Sequence, residues 1–283
     1  MKAELHCHSI YSTNKRVVVE SIERPKDILK CAKRLGCECL AITDHDTIDG
    51  IKEAKMHAKK LGVLLIPGEE VTTMRGHVLA LGIEEEIKPK LSVEETVDMI
   101  HKQGGIAIAA HPYDRRRGGV GDLSKKCDAI EVFNALSLER VSNWRAKKFA
   151  LKNKKPMTAG SDAHCLAMLN HGITNIECES DIDDCLKAIK KSRTSVHGDY
   201  VPTTVVVDWI VQRLKYSYYY TTNYMKMNYG QPKRWVGTNL IKLVNKSPGN
   251  IDYVFRMLGY AALGCLTAYA IFRNAILESI FKF

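Results

Sequence analysis

At 283 residues, with 45% apolar and 26% charged side chains, the chain has the composition of an ordinary globular protein and room for one large domain or two modest ones. Its nine cysteines form no Cys-x-x-Cys pair and are odd in number, and the opening MKAELHCH has no signal-peptide pattern. This excludes a closed disulfide framework and predicts free thiols in a reducing, cytoplasmic setting. The net charge of +10 is uneven, since residues 213–283 carry ten Lys/Arg and two acids, and the first 212 residues carry 32 and 30. A near-neutral body is thus followed by a basic tail suited to an anionic partner, lipid or nucleic acid.

In chain order, short apolar runs predict strands at AELHCH (3–8), CLAIT (39–43), VLLIPG (63–68), HVLALGI (77–83), IAIAA (106–110), AIEVF (129–133) and KPMTAG (155–160). TSVHG (194–198) is expected as an edge strand or a closing strand. Helices are predicted at RPKDILKCAKRLG, with Pro at its start and Gly at its end, and at SVEETVDMIHKQGG, where Ser92 and Glu95 match a capping box. SLERVSNWRAKKFALKN and DIDDCLKAIKKS complete the series. Such alternation predicts a mainly parallel α/β arrangement, and about seven repeats suggest a barrel.

Residues 213–250 read as a basic, Tyr-rich linker, irregular over 215–235, and residues 251–283 as an apolar C-terminal helix. Within it, residues 257–272 are uncharged and are bounded by Arg256 and Arg273. That run is slightly shorter than the roughly 20 residues needed to cross a bilayer. Snorkelling arginines, interfacial Tyr253, Tyr260, Tyr269 and Phe272, and the preceding basic linker favour a membrane anchor over docking on the body or self-association.

Polar residues fall at the ends of the predicted strands. His6 and His8 end the first, and residues two apart on a strand share a face. Thr-Asp-His-Asp (43–46) ends the second and Pro-Gly-Glu-Glu (67–70) the third. His77 lies in the fourth, Ala-His-Pro (110–112) follows the fifth, and Gly-Ser-Asp-Ala-His (160–164) follows the seventh. In a β/α barrel the C-terminal strand ends share one face, so these groups would converge there as a multi-metal site. His57, His101, His171 and His197 fall outside the pattern. Mixed imidazole and carboxylate donors favour zinc, manganese or iron over calcium or magnesium.

In this order, His-x-His, Thr-Asp-His-Asp, Pro-Gly-x-Glu, His-Val-Leu-x-Leu-Gly, His-Pro and Ser-Asp-Ala-His resemble the PHP (polymerase and histidinol phosphatase) family over about residues 1–200. The segment from about 105 to 205 is similar to the C-terminal part of many members. The resemblance implies a distorted (β/α)7 TIM-like barrel over residues 1–212 and a metal-dependent phosphoesterase of small phosphomonoesters or nucleotides. It also implies a first metal on His6, His8, Glu70 and Asp162, a second on His45 and His164, and a third on Glu70, His77 and His111. Where members often carry Ser-Asp-Gly, this chain has Ser12-Thr13-Asn14. The missing carboxylate predicts weaker binding at the second position and leaves two or three ions, with Asp44 or Asp46 as substitutes.

The expected mechanism is in-line attack by a metal-activated hydroxide, with Asp162 or His164 assisting proton transfer. Arg115 and Arg116 of the DRRRGG run are the candidate phosphate clamp. Three other readings are open. A 3′→5′ exonuclease or RNase-type phosphodiesterase would hold nucleic acid through the basic tail. A catalytically weakened, membrane-tethered binding module would follow from the loss at Thr13. Metal-dependent amide hydrolysis is opposed by the Pro-Gly-Glu-Glu and His-Pro elements.

Overall fold

The computed structural model describes residues 1–12, 19–114, 116–179, 181–246 and 252–280, so Thr13, Asn14 and Arg115 lie outside the described residues. The chain divides into two compact units, one of Met1–Ser12 with Glu23–Val201, the other holding the described residues from Pro202 on together with residues 19–22.

In the first unit the strands are β1 (Lys2–Glu4), β2 (Cys39–Ile42), β3 (Leu64–Thr72), β4 (His77–Leu81), β5 (Ile106–Ala109), β6 (Ala129–Asn134), β7 (Met157–Gly160), β8 (Gly172–Ile176) and β9 (Thr194–Gly198). Its helices are α1 (Pro25–Arg34), α2 (Asp49–Leu61), α3 (Val93–Lys102), α4 (Val141–Lys152) and α5 (Ile182–Lys190). Strands and helices form an α/β fold around one sheet in the order β7-β6-β5-β4-β3-β2-β1-β8-β9. The sheet nearly closes on itself. Thr174 on β8 links the backbone of β7, its hydroxyl donating to the Ala159 carbonyl at 2.9 Å and accepting from the Ala159 N–H at 2.8 Å. Thr194 on β9 donates to the Met157 carbonyl.

The sheet is less parallel than the alternation predicts. Pairing is parallel for β1–β2, β2–β3, β5–β6 and β6–β7, but antiparallel for β3–β4, β4–β5, β1–β8 and β8–β9. The reason at β3–β4 is the short connection of residues 73–76, which permits only an antiparallel return. Strand β8 and helix α2 escape the sequence reading, the first because its run is short and polar. Ser92 and Glu95 form the expected capping box at α3.

Alternation sorts the core. Val78, Ala80, Ala107 and Ala109 turn toward Val93, Val97 and Ile100 of α3, and Leu79, Leu81, Ile106 and Ile108 cluster with Leu186 and Ile189 of α5. Burying these aliphatic side chains contributes about 1.5–3 kcal/mol each before chain entropy is counted. One thiol expectation is corrected: Cys178 and Cys185 form a disulfide with Cα atoms 5.2 Å apart, and Cys7, Cys31, Cys37, Cys39, Cys127 and Cys265 are free thiols.

The second unit contains α6 (Thr203–Tyr216), α7 (Tyr218–Asn228), α8 (Lys233–Lys246) and α9 (Asp252–Ile280). The expected irregular linker is therefore helical over most of its length. Its buried positions in α7 are Thr221 and Thr222, and Ser217 before them is also buried, so hydroxyls take the place of an apolar stripe. Ser217 Oγ donates to the Arg213 carbonyl at 2.7 Å, and Thr221 Oγ1 donates to Ser217 Oγ at 3.1 Å. The expected C-terminal helix forms as α9. Among the described residues, however, no helix is long and apolar enough to cross a membrane. The expected membrane span is therefore unsupported, because the uncharged run stops at Arg256 and Arg273 and is diluted by Gly, Ala, Thr and Tyr.

Candidate metal centre

The end of β1 is fixed first. The Asp162 N–H donates to the His6 carbonyl at 2.7 Å, the His8 N–H donates to the Ala163 carbonyl at 2.8 Å, and Cys7 bridges Ala163 in parallel. This pairing points His6 and His8 to one side and leaves Cys7, whose thiol donates to the Ala41 carbonyl, on the other. An isolated parallel bridge joins His45 to Glu70 at the ends of β2 and β3. His111 (φ 28°) and Asp162 (φ 53°) have left-handed backbones that non-glycine residues rarely adopt, a strain characteristic of functional sites.

Glu70 is the hub. Its Oε2 lies 3.2 Å from His6 Nε2, 3.2 Å from His8 Nε2 and 3.4 Å from His45 Nδ1. Its Oε1 lies 2.8 Å from His77 Nδ1 and 3.0 Å from His111 Nε2. Asp162 stands opposite, with Oδ1 at 3.3 Å from His8 Nε2 and 3.7 Å from His6 Nε2. The His8 ring is flanked by His45 and His164, with centroids 4.8 and 4.4 Å away.

Four donor triplets have ligand atoms within 4.8 Å of one another: His6–His8–Glu70, His6–His111–Asp162, His8–Asp162–His164 and His45–Glu70–His77. All eight residues expected as metal ligands are thus brought together. Their grouping differs from the expectation, since His45 and His164 fall in separate triplets, as do His77 and His111, and Glu70 and Asp162. Asp44 and Asp46 do not stand in for the missing carboxylate. Asp44 accepts from the Ser9 hydroxyl at 2.6 Å, and Asp46 accepts from the Thr72 N–H at 2.7 Å.

Surrounding groups orient these donors. His6 Nδ1–H donates to Glu131 Oε1 at 2.9 Å, which turns the Nε2 lone pair toward Glu70. Glu131 Oε2 also accepts from the His111 N–H at 2.7 Å and from Asn134 Nδ2 at 3.0 Å. Asp162 Oδ2 accepts from Asn134 Nδ2 at 2.9 Å and from Arg117 Nη2. His164 Nδ1–H donates to the Asp162 carbonyl at 2.8 Å, leaving Nε2 unprotonated. Gly160 permits this packing, because a Cβ there would fall 2.4 Å from His6 Cβ and 2.6 Å from Glu131 Oε1.

The sequence reading did not single out Glu131, Asn134 or Gly160, and it named Arg115 and Arg116 where Arg117 reaches the cluster. A carboxylate inside the apolar run AIEVF was the available signal for Glu131. Arg116 is engaged elsewhere, 3.7 Å from Asp114 and 3.6 Å from Glu139, and Arg115 lies outside the described residues.

The electrostatics follow from burial and crowding. Burial would raise Glu70, but His45, His77 and His6 hold it well below the usual carboxylate range. Burial would likewise raise Asp162, but Arg117 and then His6 hold it well below its ordinary value. Burial pulls His8 down, yet Asp162 and Glu70 raise it to about 9. His45 is pushed down to about 3, chiefly by burial, and His164 is held well below its usual value by burial and by His8. In the bare cluster, protons on His6 and His8 balance two buried carboxylates. A divalent cation offers the same compensation to lone pairs already aimed inward, so the donor set fits a metal.

Residues 140–194 match the PHP-associated family PHP_C. The chain is 42% identical over 149 residues to an uncharacterized protein, MJ1587, of Methanocaldococcus jannaschii, covering 50% of this chain and 87% of that one. It is 35% identical over 197 residues, 65% of each protein, to a phosphoribosyl 1,2-cyclic phosphate 1,2-diphosphodiesterase of Eggerthella lenta. A two-domain protein from Bacteroides vulgatus, containing a predicted PHP-like metal-dependent phosphoesterase, shares the fold. Its crystal structure superposes with a TM-score of 0.59 at 20% identity, over 70% of this chain and 65% of that one. With its six motifs gathered at one end of such a sheet, the chain belongs to the PHP family.

Proposed function

We propose that this chain is a metal-dependent hydrolase of phosphate esters, built on a distorted (β/α)7 barrel over its first unit and holding two or three divalent ions. The observation that supports this best is the sharing of the two Glu70 oxygens among five imidazoles, with Asp162 facing them. The similarity to a cyclic-phosphate diphosphodiesterase favours phosphate over amide substrates.

Mixed nitrogen and oxygen donors suit zinc, manganese or iron. When bound, such ions neutralise phosphoryl oxygens and supply a nucleophilic water at neutral pH. His6, His8, Glu70 and Asp162 would hold one ion, with His45, His77, His111 and His164 completing the remaining positions. Glu131 keeps His6 in the tautomer that presents Nε2. Arg117 and Asn134 hold Asp162 ionised and fixed. His164, neutral and anchored through Nδ1, presents Nε2 as a ligand or as an acceptor for a proton from the attacking water.

The test is elemental analysis of the purified chain with phosphate release from a panel of mono- and diesters in Mn²⁺ or Zn²⁺. Metal-dependent release that disappears in a His6→Ala, His8→Ala double variant is expected. Cleavage of cyclic amides without phosphate release from any ester would overturn the proposal.

A further inference from the structure

The first unit carries a feature that its chemistry does not use. From residue 140 to residue 155 the sequence RVSNWRAKKFALKNKK has seven basic side chains and no acidic one, although the first 212 residues are nearly neutral as a whole. This segment is α4 with its flanks. Its inner face buries Ser142, Asn143, Ala146 and Ala150, and its outer face exposes Lys147, Lys148 and Lys152 together with Trp144 (52% exposed) and Leu151 (60%). Among the described residues, Lys147, Lys148, Lys152 and Lys154 have no ion-pair partner. Lys148 Nζ lies 4.9 Å from the Trp144 ring centroid.

Beside this face runs a groove of about 410 Å³ whose walls include Phe133, Arg140, Asn143, Trp144, Lys147 and Tyr200. The Phe133 and Tyr200 rings are 5.1 Å apart, and the Arg140 guanidinium lies over Tyr200 at 4.9 Å. The groove thus offers planar surfaces and the Lys147 ammonium group at its walls, with Lys148 and Lys152 exposed on the same helix. Its lining takes Phe133 from the end of β6 and Asn143 from the start of α4. Asn143 ties the groove to the metal ligands, since its Nδ2 donates to the Asn134 carbonyl at 2.9 Å and Asn134 in turn donates to Asp162.

We propose that α4 and this groove form a docking face for single-stranded nucleic acid, with bases against the aromatic and guanidinium planes and phosphates along the lysines of α4. Rows of ammonium groups interleaved with stackable rings are how sequence-tolerant single-strand binders work. An anionic membrane fits less well. An interfacial helix lays a broad apolar face on lipid, whereas this one alternates lysines with Trp144 and Leu151 beside a concave groove. The face goes beyond the hydrolase reading, because binding there requires no metal.

The test is fluorescence anisotropy of the full chain in EDTA with labelled single strands of roughly 15 nucleotides, poly(U) and poly(dT), over a salt series. Affinity should fall steeply with salt. A Lys147→Glu, Lys148→Glu double variant should bind at least about tenfold more weakly, with a salt slope smaller by about two. Trp144→Ala should weaken binding by about five- to tenfold or more. If circular dichroism shows the charge-reversal variant unfolded, Lys152→Gln, Lys154→Gln on the same surface gives the same readout with a smaller loss. Unchanged affinity in the folded variants, no binding by the parent chain, binding that needs metal, or capture of phosphatidylserine vesicles in place of the strand would each overturn the proposal. Because this assay contains no metal, its outcome is separate from that of phosphate release.

Discussion

The two units of this chain hold their polar groups in opposite ways. In the first, imidazoles and carboxylates are buried at strand ends and held apart from water by a framework of Glu131, Asn134, Arg117 and backbone. In the second, the buried hydroxyls of Ser217 and Thr221 satisfy one another and a helix carbonyl. The first arrangement leaves a crowd of donors that a cation completes. In the second, the Ser217–Thr221 pair is already complete. Buried polarity therefore marks chemistry only where the hydrogen bonds within the protein leave lone pairs converging on common ground.

Breaking the hub should have the largest effect. Glu70→Gln keeps the shape but removes the charge shared by five imidazoles, so metal content should fall below one equivalent by elemental analysis. Phosphate release should drop by about 10³-fold or more. Next is Gly160→Ala, where the new methyl group meets His6 and Glu131. Overpacking of this kind costs about 1–3 kcal/mol, visible as a lower thermal midpoint together with weaker metal uptake. Glu131→Gln should act more gently, since losing a supporting carboxylate typically weakens metal affinity about 10–100-fold. Competition with a fluorescent chelator would measure this.

The contrast also has a pH signature. In the metal-free chain His8 is raised from 6.5 to about 9. The stability it contributes is therefore complete below pH 6.5 and is lost as pH rises through about 9. Glu70, depressed below 4.5, contributes stability above that value which is lost as pH falls. The metal-free chain should thus melt at lower temperature at pH 9.5 than at pH 6.5. The loaded chain should gain over the lower part of the same range, because a metal displaces the protons. Equal trends with and without metal would contradict this account. The smallest effect is expected in the second unit, where Thr221→Val removes one hydroxyl bond at a cost of about 1 kcal/mol by chemical denaturation and leaves metal content unchanged.

How much could be read in advance follows the same division. The seven predicted strands are all present, because apolar runs of strand length bounded by turn residues leave little choice, and the ligands are legible because all but His77, which opens β4, follow or end such a run. Glu131 was harder to see, since its partner His6 is 125 residues away and only the closed sheet brings them together. Arg117, which reaches Asp162, could not be separated from Arg115 and Arg116 by composition, because the three are consecutive residues of one type. The helices over 213–246 were invisible to a hydrophobic-period argument, because threonine and serine fill buried positions in α7 and at its start. The antiparallel β3–β4 pair was within reach, since four residues cannot carry a parallel crossover.

Elemental analysis of the purified chain after dialysis, repeated after loading with Mn²⁺ or Zn²⁺, tests the central claim most directly. The convergence of six imidazoles on Glu70 and Asp162 predicts at least two divalent ions per chain after loading and fewer than one in the Glu70→Gln variant. A chain that retains no metal and takes none up, with its thermal midpoint unmoved by the added ions, would contradict it.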